Sequence, residues 1–208
     1  TEYAARMSAT DPVTPARRPI RPAATLILLR DGTGGLETLM LRRSPSASFF
    51  AGAYVFAGGA VDRADGEPPA LARLVGLRAD EANALLGLAE DAARYWIAAA
   101  RECFEEAGIL VARTAAGAFA DFGAMARLAT ARAALHAGEL AFADLLAREG
   151  LAVHASDFVY TDHWITPAGR PRRFDTRFFM ALAPAAQVGS SDLVEIVDAA
   201  WRRPVDLL

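Results

Sequence analysis

Arg101-Glu102-Cys103-Phe104-Glu105-Glu106-Ala107-Gly108-Ile109 is the stretch on which the reading of this chain turns. As a pattern it is R-E-x-x-E-E-x-G closed by an aliphatic residue. On a helix Glu102 and Glu106 stand one turn apart with Glu105 between them, so the spacing predicts three carboxylates crowded on one side. Like charges at that spacing repel, and a cation that neutralises them removes the cost. Hard oxygen donors on a rigid element suit Mg²⁺ or Mn²⁺. The competing reading is a solvated acidic face ended by a glycine. Five specified residues match by chance in a chain of this length in about one case in 10⁴, which favours a built site.

Working outward, Asp91 is placed to cap a helix that runs to Ala107, with Gly108 as its stop. Trp96, Ala100, Cys103 and Ala107 form the stripe expected to be buried, leaving the glutamates at the surface. Cys103 reads as a small buried hydrophobe. Upstream, Ala23 to Leu29 is an apolar strand, residues 31–35 a turn, and Glu37 to Arg43 its hairpin partner. Tyr54 to Phe56 is a further strand that delivers Gly58 and Gly59 at its end. Thr1 to Pro22 holds four prolines and no period, and is expected to be an N-terminal arm, packed over the domain or partly disordered. Downstream, residues 119–149 read as helical. Phe158 to Ile165 and Arg173 to Leu182 read as strands around a Pro-Ala-Gly-Arg-Pro turn. In the second of these, Arg173, Asp175 and Arg177 alternate with Phe174, Thr176 and Phe178, so the charged set shares a face. That face is either salt-bridged or part of a phosphate-binding wall. Val194 to Trp201 is a last strand. Strands, then helix, then strands without a βαβ period predict an α+β fold with a mixed sheet.

The composition bounds the function. The chain has 208 residues, 53% of them hydrophobic, a net charge of −3 and one cysteine. That is one domain with a substantial core, no basic field to recruit nucleic acid and no intrachain disulfide. With no apolar run long enough to span a bilayer and no evident signal peptide, a cytoplasmic location away from membranes is the expectation.

Taken with Tyr54-Val55-Phe56-Ala57-Gly58-Gly59, the acidic string resembles the Nudix box, G-x5-E-x7-R-E-U-x-E-E-x-G-U, where U is a bulky aliphatic residue. Arg101 lies 42 residues beyond Gly59 where the box calls for 14, an excess of 28 that assigns residues 62–90 to an insertion. Cys103 replaces an aliphatic residue, and the upstream glutamate has only approximate counterparts in Asp62, Asp65 or Glu67, none of which is given a role. Leu39-Met40-Leu41-Arg42-Arg43-Ser44 with Gly52, Phe56, Gly58 and Gly59 is similar to the signature of the coenzyme A diphosphatase branch. Ser48 and Ala57 stand where that signature has arginine and proline. The box insertion, with His163-Trp164-Ile165-Thr166-Pro167 and residues 173–179, resembles the peroxisomal coenzyme A diphosphatases of animals and their bacterial relatives.

The resemblance implies an α/β/α sandwich over residues 23–208 and a metal-dependent hydrolase that cleaves a diphosphate linkage, with coenzyme A or acyl-coenzyme A as substrate. It implies Mg²⁺ or Mn²⁺ on Glu102, Glu105, Glu106 and the Gly58 carbonyl, with Arg101 orienting the carboxylates. Glu102 and Glu195 are both candidates for the base. Arg43, Ser44, Phe49, Arg173 and Arg177 are the expected substrate contacts, and Arg43, Arg170, Arg172 or Arg173 would have to replace the arginine lost at Ser48. Phe50 and Trp164 are weaker candidates for stacking on a base. Two alternatives stay open: cleavage of NADH, ADP-ribose or a nucleotide sugar, and a non-catalytic nucleotide-binding module. The expected partner is a small nucleoside-diphosphate substrate, with a homodimer as an open alternative to a monomer and no nucleic acid or membrane.

Overall fold

Alternation in the first strand decides where the core lies. Ala24, Leu26 and Leu28 are buried on one side while Thr25 and Ile27 are less covered. The computed structural model describes residues 19–46, 51–191 and 196–207. Ten strands are described: β1 (Arg21–Gly32), β2 (Gly35–Arg43), β3 (Tyr54–Val55), β4 (Ala57–Ala60), β5 (Leu74–Val75), β6 (Arg113–Thr114), β7 (Leu151–His154), β8 (Val159–Ile165), β9 (Phe174–Leu182) and β10 (Ile196–Arg202). The helices are α1 (Pro68–Leu71), α2 (Ala79–Leu86), α3 (Arg94–Ala107), α4 (Phe122–His136) and α5 (Phe142–Arg148).

The large sheet runs β10-β2-β1-β9-β8, with β3 on β2 and β4 on β1. β1 pairs with β9 in parallel and with β2 and β4 antiparallel, so the sheet is mixed and the fold is α+β as the sequence predicts. A small sheet, β5-β7-β6, lies apart from it. α3 packs against β1 and β4 on one side and against α1, α4 and β7 on the other. It is therefore buried nearly all round, from Tyr95 to Ala100 and again at Cys103, Phe104 and Ala107. Trp96 meets Phe179 of β9 with ring centroids 4.9 Å apart, a tilted geometry that favours both quadrupoles.

Several boundaries differ from the sequence reading, each for a local reason. β1 starts at Arg21, so Arg21 and Pro22 belong to the sheet and not to an arm; residues 1–18 lie outside the described part. Asp91 does not cap α3. It takes a left-handed backbone with φ of 60°, and the helix starts after Ala93; the Ala92 N–H before it is satisfied by Asn83 Oδ1 at 3.0 Å. Gly108 does end the helix, at φ of 67°, with its N–H bonded to the Phe104 carbonyl. The helical stretch 119–149 is split at Gly138, where φ of 72° breaks the run. β7 was not foreseen, because four residues with two buried side chains carry little periodic signal. Among the described residues no helix is long and apolar enough to cross a membrane.

Candidate active site

Gly58 and Gly59 lie within β4, not after a strand, because only glycine fits the gap between β1 and α3. A Cβ on Gly58 would stand 2.6 Å from the Ala24 carbonyl oxygen, and one on Gly59 would stand 2.6 Å from Glu102 Oε1. This closeness lets the Gly58 N–H donate to Glu106 Oε2 at 2.9 Å. Residues 48 positions apart thus bring the glycines against the acidic turn of α3.

Arg101 organises the space beneath. Its Nε and Nη2 donate to the two oxygens of Asp65, each at 2.9 Å. Nη1 donates to Glu102 Oε1 at 2.9 Å and Nη2 to the Ala60 carbonyl at 3.0 Å. Glu105 Oε1 is 3.5 Å away. Arg101 is 8% exposed and Asp65 2%. Burial opposes the guanidinium charge, but Asp65, Glu102 and Glu105 outweigh it and hold Arg101 firmly protonated. For Glu102 the balance is reversed: burial raises its carboxyl to about 7, against the pull of Arg101. Glu105 is raised for the same reason. Burial also pushes the Cys103 thiol up, which suits a packing residue and not a reactive one.

Asp65 is the residue that the sequence reading left without a role. It lies six positions after Gly59, the spacing of G-x5-E, and could have been found by letting aspartate stand for glutamate. Since Asp65 already closes on Arg101, the extra chain enters after it, later than the expected start at Asp62.

Glu102 and Glu105 share one nitrogen of Arg101, with Nη1 2.9 Å from Glu102 Oε1 and 3.5 Å from Glu105 Oε1, while Glu106 is held by the Gly58 N–H. Glu102 and Glu106 line a cleft of about 580 Å³ together with Arg43, Phe56, Gly58 and Gly59. Glu105 lines a separate cavity of about 410 Å³ with Asp62 and Leu135. Among the described residues no three His, Cys, Asp or Glu side chains are gathered into a cation cage. Arg101 stands between Glu102 and Glu105 and offsets part of the repulsion expected from their helical spacing. The donor set still fits a divalent cation of the Mg²⁺ type, which is held by one or two carboxylates and completed by water and substrate phosphates. The buried Glu102, whose ionised form lacks full compensation, fits such a cation as well.

Arg43 reaches the cleft. Ser44 is not among the residues that line it; its hydroxyl lies 2.7 Å from that of Ser46 and shapes the following turn. Arg173 Nε donates to the Thr166 carbonyl at 2.9 Å and pins the β8–β9 connection. Arg177 corrects the expectation of a phosphate wall. It is 3% exposed, pairs with Asp175 and lies on the face of β9 turned to α3. Phe174, Thr176 and Phe178, the uncharged alternates, line the cleft instead. Alternation separates the faces without saying which one meets the ligand. Phe49, Phe50 and Glu195 lie outside the described residues. Trp164 is 66% exposed, and its Nε1 donates to Asp162 Oδ2 at 2.7 Å.

Other contributors carry no local motif. Arg21 and Arg172 line the far end of the cleft. Arg132 of α4 donates to the Glu105 and Glu106 carbonyls, both at 2.8 Å. A cation at that end satisfies carbonyls left open by the helix and opposes its dipole. Arg132 also bonds to Ser190, whose N–H donates to the Ala107 carbonyl. The loop that leads to residues 192–195 is thereby fastened to the end of α3.

Comparison with known proteins agrees with this architecture. The family described as the NUDT19 Nudix domain matches residues 67–208. The putative nudix hydrolase 7 of Caenorhabditis elegans is 32% identical over 178 residues, which are 84% of this chain and 50% of that protein. The human acyl-coenzyme A diphosphatase NUDT19 is 30% identical over 206 residues, 82% of this chain and 54% of that protein. The chain thus spans about half the length of these curated relatives. The crystal structure of a Nudix hydrolase from Alicyclobacillus acidocaldarius superposes with a TM-score of 0.70 at 28% identity, covering 92% of this chain and 82% of that one. A family match over most of the chain, on a mixed sheet that carries the glycines to an R-E-x-x-E-E helix, establishes that this chain belongs to the NUDT19 Nudix-domain family of the Nudix hydrolases.

Proposed function

We propose that this domain is a divalent-metal-dependent hydrolase of the diphosphate linkage in a coenzyme A-type substrate. One observation carries the reading: the branch residues Arg43, Phe56, Gly58 and Gly59 line the same cleft as Glu102 and Glu106 of the acidic helix. The printed activity of the human relative, an acyl-coenzyme A diphosphatase, supports the same class.

Mg²⁺ or Mn²⁺ bound to Glu102, Glu106 and the Gly58 carbonyl, with Glu105 as a further ligand, would neutralise phosphate oxygens and acidify a bound water. The chain's own residues do the rest. In the metal-free protein burial raises the Glu102 carboxyl to about 7, and a bound divalent cation would lower it again; Glu102 and Glu195 are the two candidate bases. Arg101 keeps the Glu102 carboxylate turned towards Gly59. Arg43 offers a planar cation to a phosphate oxygen. Arg132 fixes the last turn of α3, on which Glu105 and Glu106 depend. Ser48 and Ala57 depart from the coenzyme A signature, and cleavage of NADH or ADP-ribose in the same cleft is the alternative.

The test is a panel of coenzyme A, NADH and ADP-ribose with Mg²⁺ or Mn²⁺, scored by the monophosphate products. Coenzyme A should show the highest kcat/KM. Faster cleavage of NADH or ADP-ribose would move the enzyme to the alternative, and no cleavage of any of them would overturn the hydrolase reading.

A further inference from the structure

The cleft is electrically divided. Its Gly58–Gly59 end carries Glu102 and Glu106, and its Phe174 end carries Arg21 and Arg172. Arg21 opens β1 and stands beside Phe174 in the parallel register with β9, while Arg172 comes two residues before Phe174 in the preceding turn. Both arginines are exposed, and neither side chain is paired with another among the described residues. They therefore do not serve the fold as Arg101, Arg132, Arg173 and Arg177 do.

The separation of the two ends follows from strand geometry. Gly58 pairs with Thr25 of β1, four residues beyond Arg21. At ~3.3 Å per residue along the strand and ~4.8 Å across to β4, the backbones are about 14 Å apart. The two phosphates of one diphosphate share a bridging oxygen, so both belong to the acidic, metal-binding end. Cations so far away suit a further anionic group carried on the other side of a sugar. Between the ends, Phe174 and Phe178 offer rings and Thr176 a hydroxyl, a surface suited to a flat base.

Resting on the reading of this cleft as a coenzyme A-type diphosphatase site, we propose that Arg21 and Arg172 bind the 3′-phosphate of the substrate's adenosine half. The nucleotide then lies along the β1–β9 surface, with its diphosphate directed at Glu102 and Glu106. Arg170 and Arg173 are not needed for that role, and Arg43 serves the diphosphate end.

The experiment compares coenzyme A with dephospho-coenzyme A in the wild-type protein and in Arg21→Ala, Arg172→Ala and the double variant. Metal-free titration calorimetry with adenosine 3′,5′-bisphosphate and with AMP gives a readout independent of turnover. Because both side chains are exposed, circular dichroism and the unfolding midpoint should be unchanged. The wild type should prefer coenzyme A in kcat/KM by roughly 10- to 100-fold, the range for a charge-assisted contact. In the double variant that ratio should collapse towards one, with most of the loss on coenzyme A, and the tighter binding of the bisphosphate should vanish. Equal wild-type kcat/KM for the two compounds, or a preference that survives in the double variant, would overturn the assignment while leaving coenzyme A cleavage intact. A wild-type enzyme that cleaves neither compound but does cleave NADH or ADP-ribose would instead remove the proposed function, and this inference with it.

Discussion

Replacing Asp65 with asparagine keeps the shape of the side chain, removes its charge and puts an amide donor where one oxygen accepts. In the native structure its oxygens accept from Arg101 Nε and Nη2, both at 2.9 Å, and from the Asp62 N–H at 2.8 Å. The asparagine amide would set a donor against a guanidinium donor at one of these positions. Breaking a buried pair by altering one partner costs ~3–5 kcal/mol, because the remaining charge is left uncompensated. Arg101 retains Glu102, Glu105 and the Ala60 carbonyl, so the loss should fall at the lower end, about 3 kcal/mol. The same change reaches the chemistry. The Asp65 charge helps to raise the Glu102 carboxyl; without it Arg101 leans further on Glu102, and the acid limb of the kcat/KM profile should move to lower pH. Urea unfolding measures the first effect and a pH–rate profile the second. A variant within about 1 kcal/mol of wild type, with the acid limb unmoved, would refute the claim that Asp65 holds Arg101 in place for Glu102.

Three further outcomes are expected. Glu106→Gln should lower kcat by about 100-fold or more with the fold intact, since a charge leaves the proposed cation site while the amide oxygen can still accept from Gly58 N–H; near-native turnover at saturating Mg²⁺ would count against the site. The Glu102 carboxyl sits near 7 in the fold against an ordinary value of 4.5, so the native state binds the proton more tightly than the unfolded one. The stability of the metal-free protein relative to Glu102→Gln should therefore be full below about pH 4.5 and fall by about 3 kcal/mol as pH rises through 7, with Mg²⁺ reversing the loss; a pH-independent difference would be the contrary result. Gly58→Ala should destabilise the domain by about 1–3 kcal/mol through overpacking against the β1 backbone, and a variant as stable as wild type in thermal unfolding would show that the gap between β1 and β4 can open.

How far the sequence could be read depends on the range of the interaction. The acidic helix, its glycine stop, the first hairpin and the β8–β9 pair are written in local periodicity and turn chemistry, and all are present in the structure. Arg177 marks where local pattern ends: alternation separates it from Phe178, but only packing against α3 decides which of them meets the cleft. Arg21 and Arg132 are isolated arginines whose roles arise from the parallel β1–β9 pairing and from the packing of α4 on α3. Asp91 shows a local signal overruled, because its backbone turns left-handed and the helix starts only at Arg94, after Ala93, while Asn83 of the inserted segment accepts from the Ala92 N–H. Asp65 was legible by its spacing and was obscured by being one methylene shorter than the expected glutamate.

The inserted segment is joined to the rest of the molecule by more than its ends. Leu74 and Val75 of β5 pair with Val153 and His154 of β7, and the Val153 N–H donates to the Arg73 carbonyl. α1 packs on α5, and the Leu86 carbonyl accepts from Arg177. Two stretches far apart in the chain thus cover backbone groups that each would otherwise leave exposed, and they should open as one cooperative unit. Amide exchange should report them opening together, and trimming the insertion back to an ordinary box would leave β7 without its parallel neighbour.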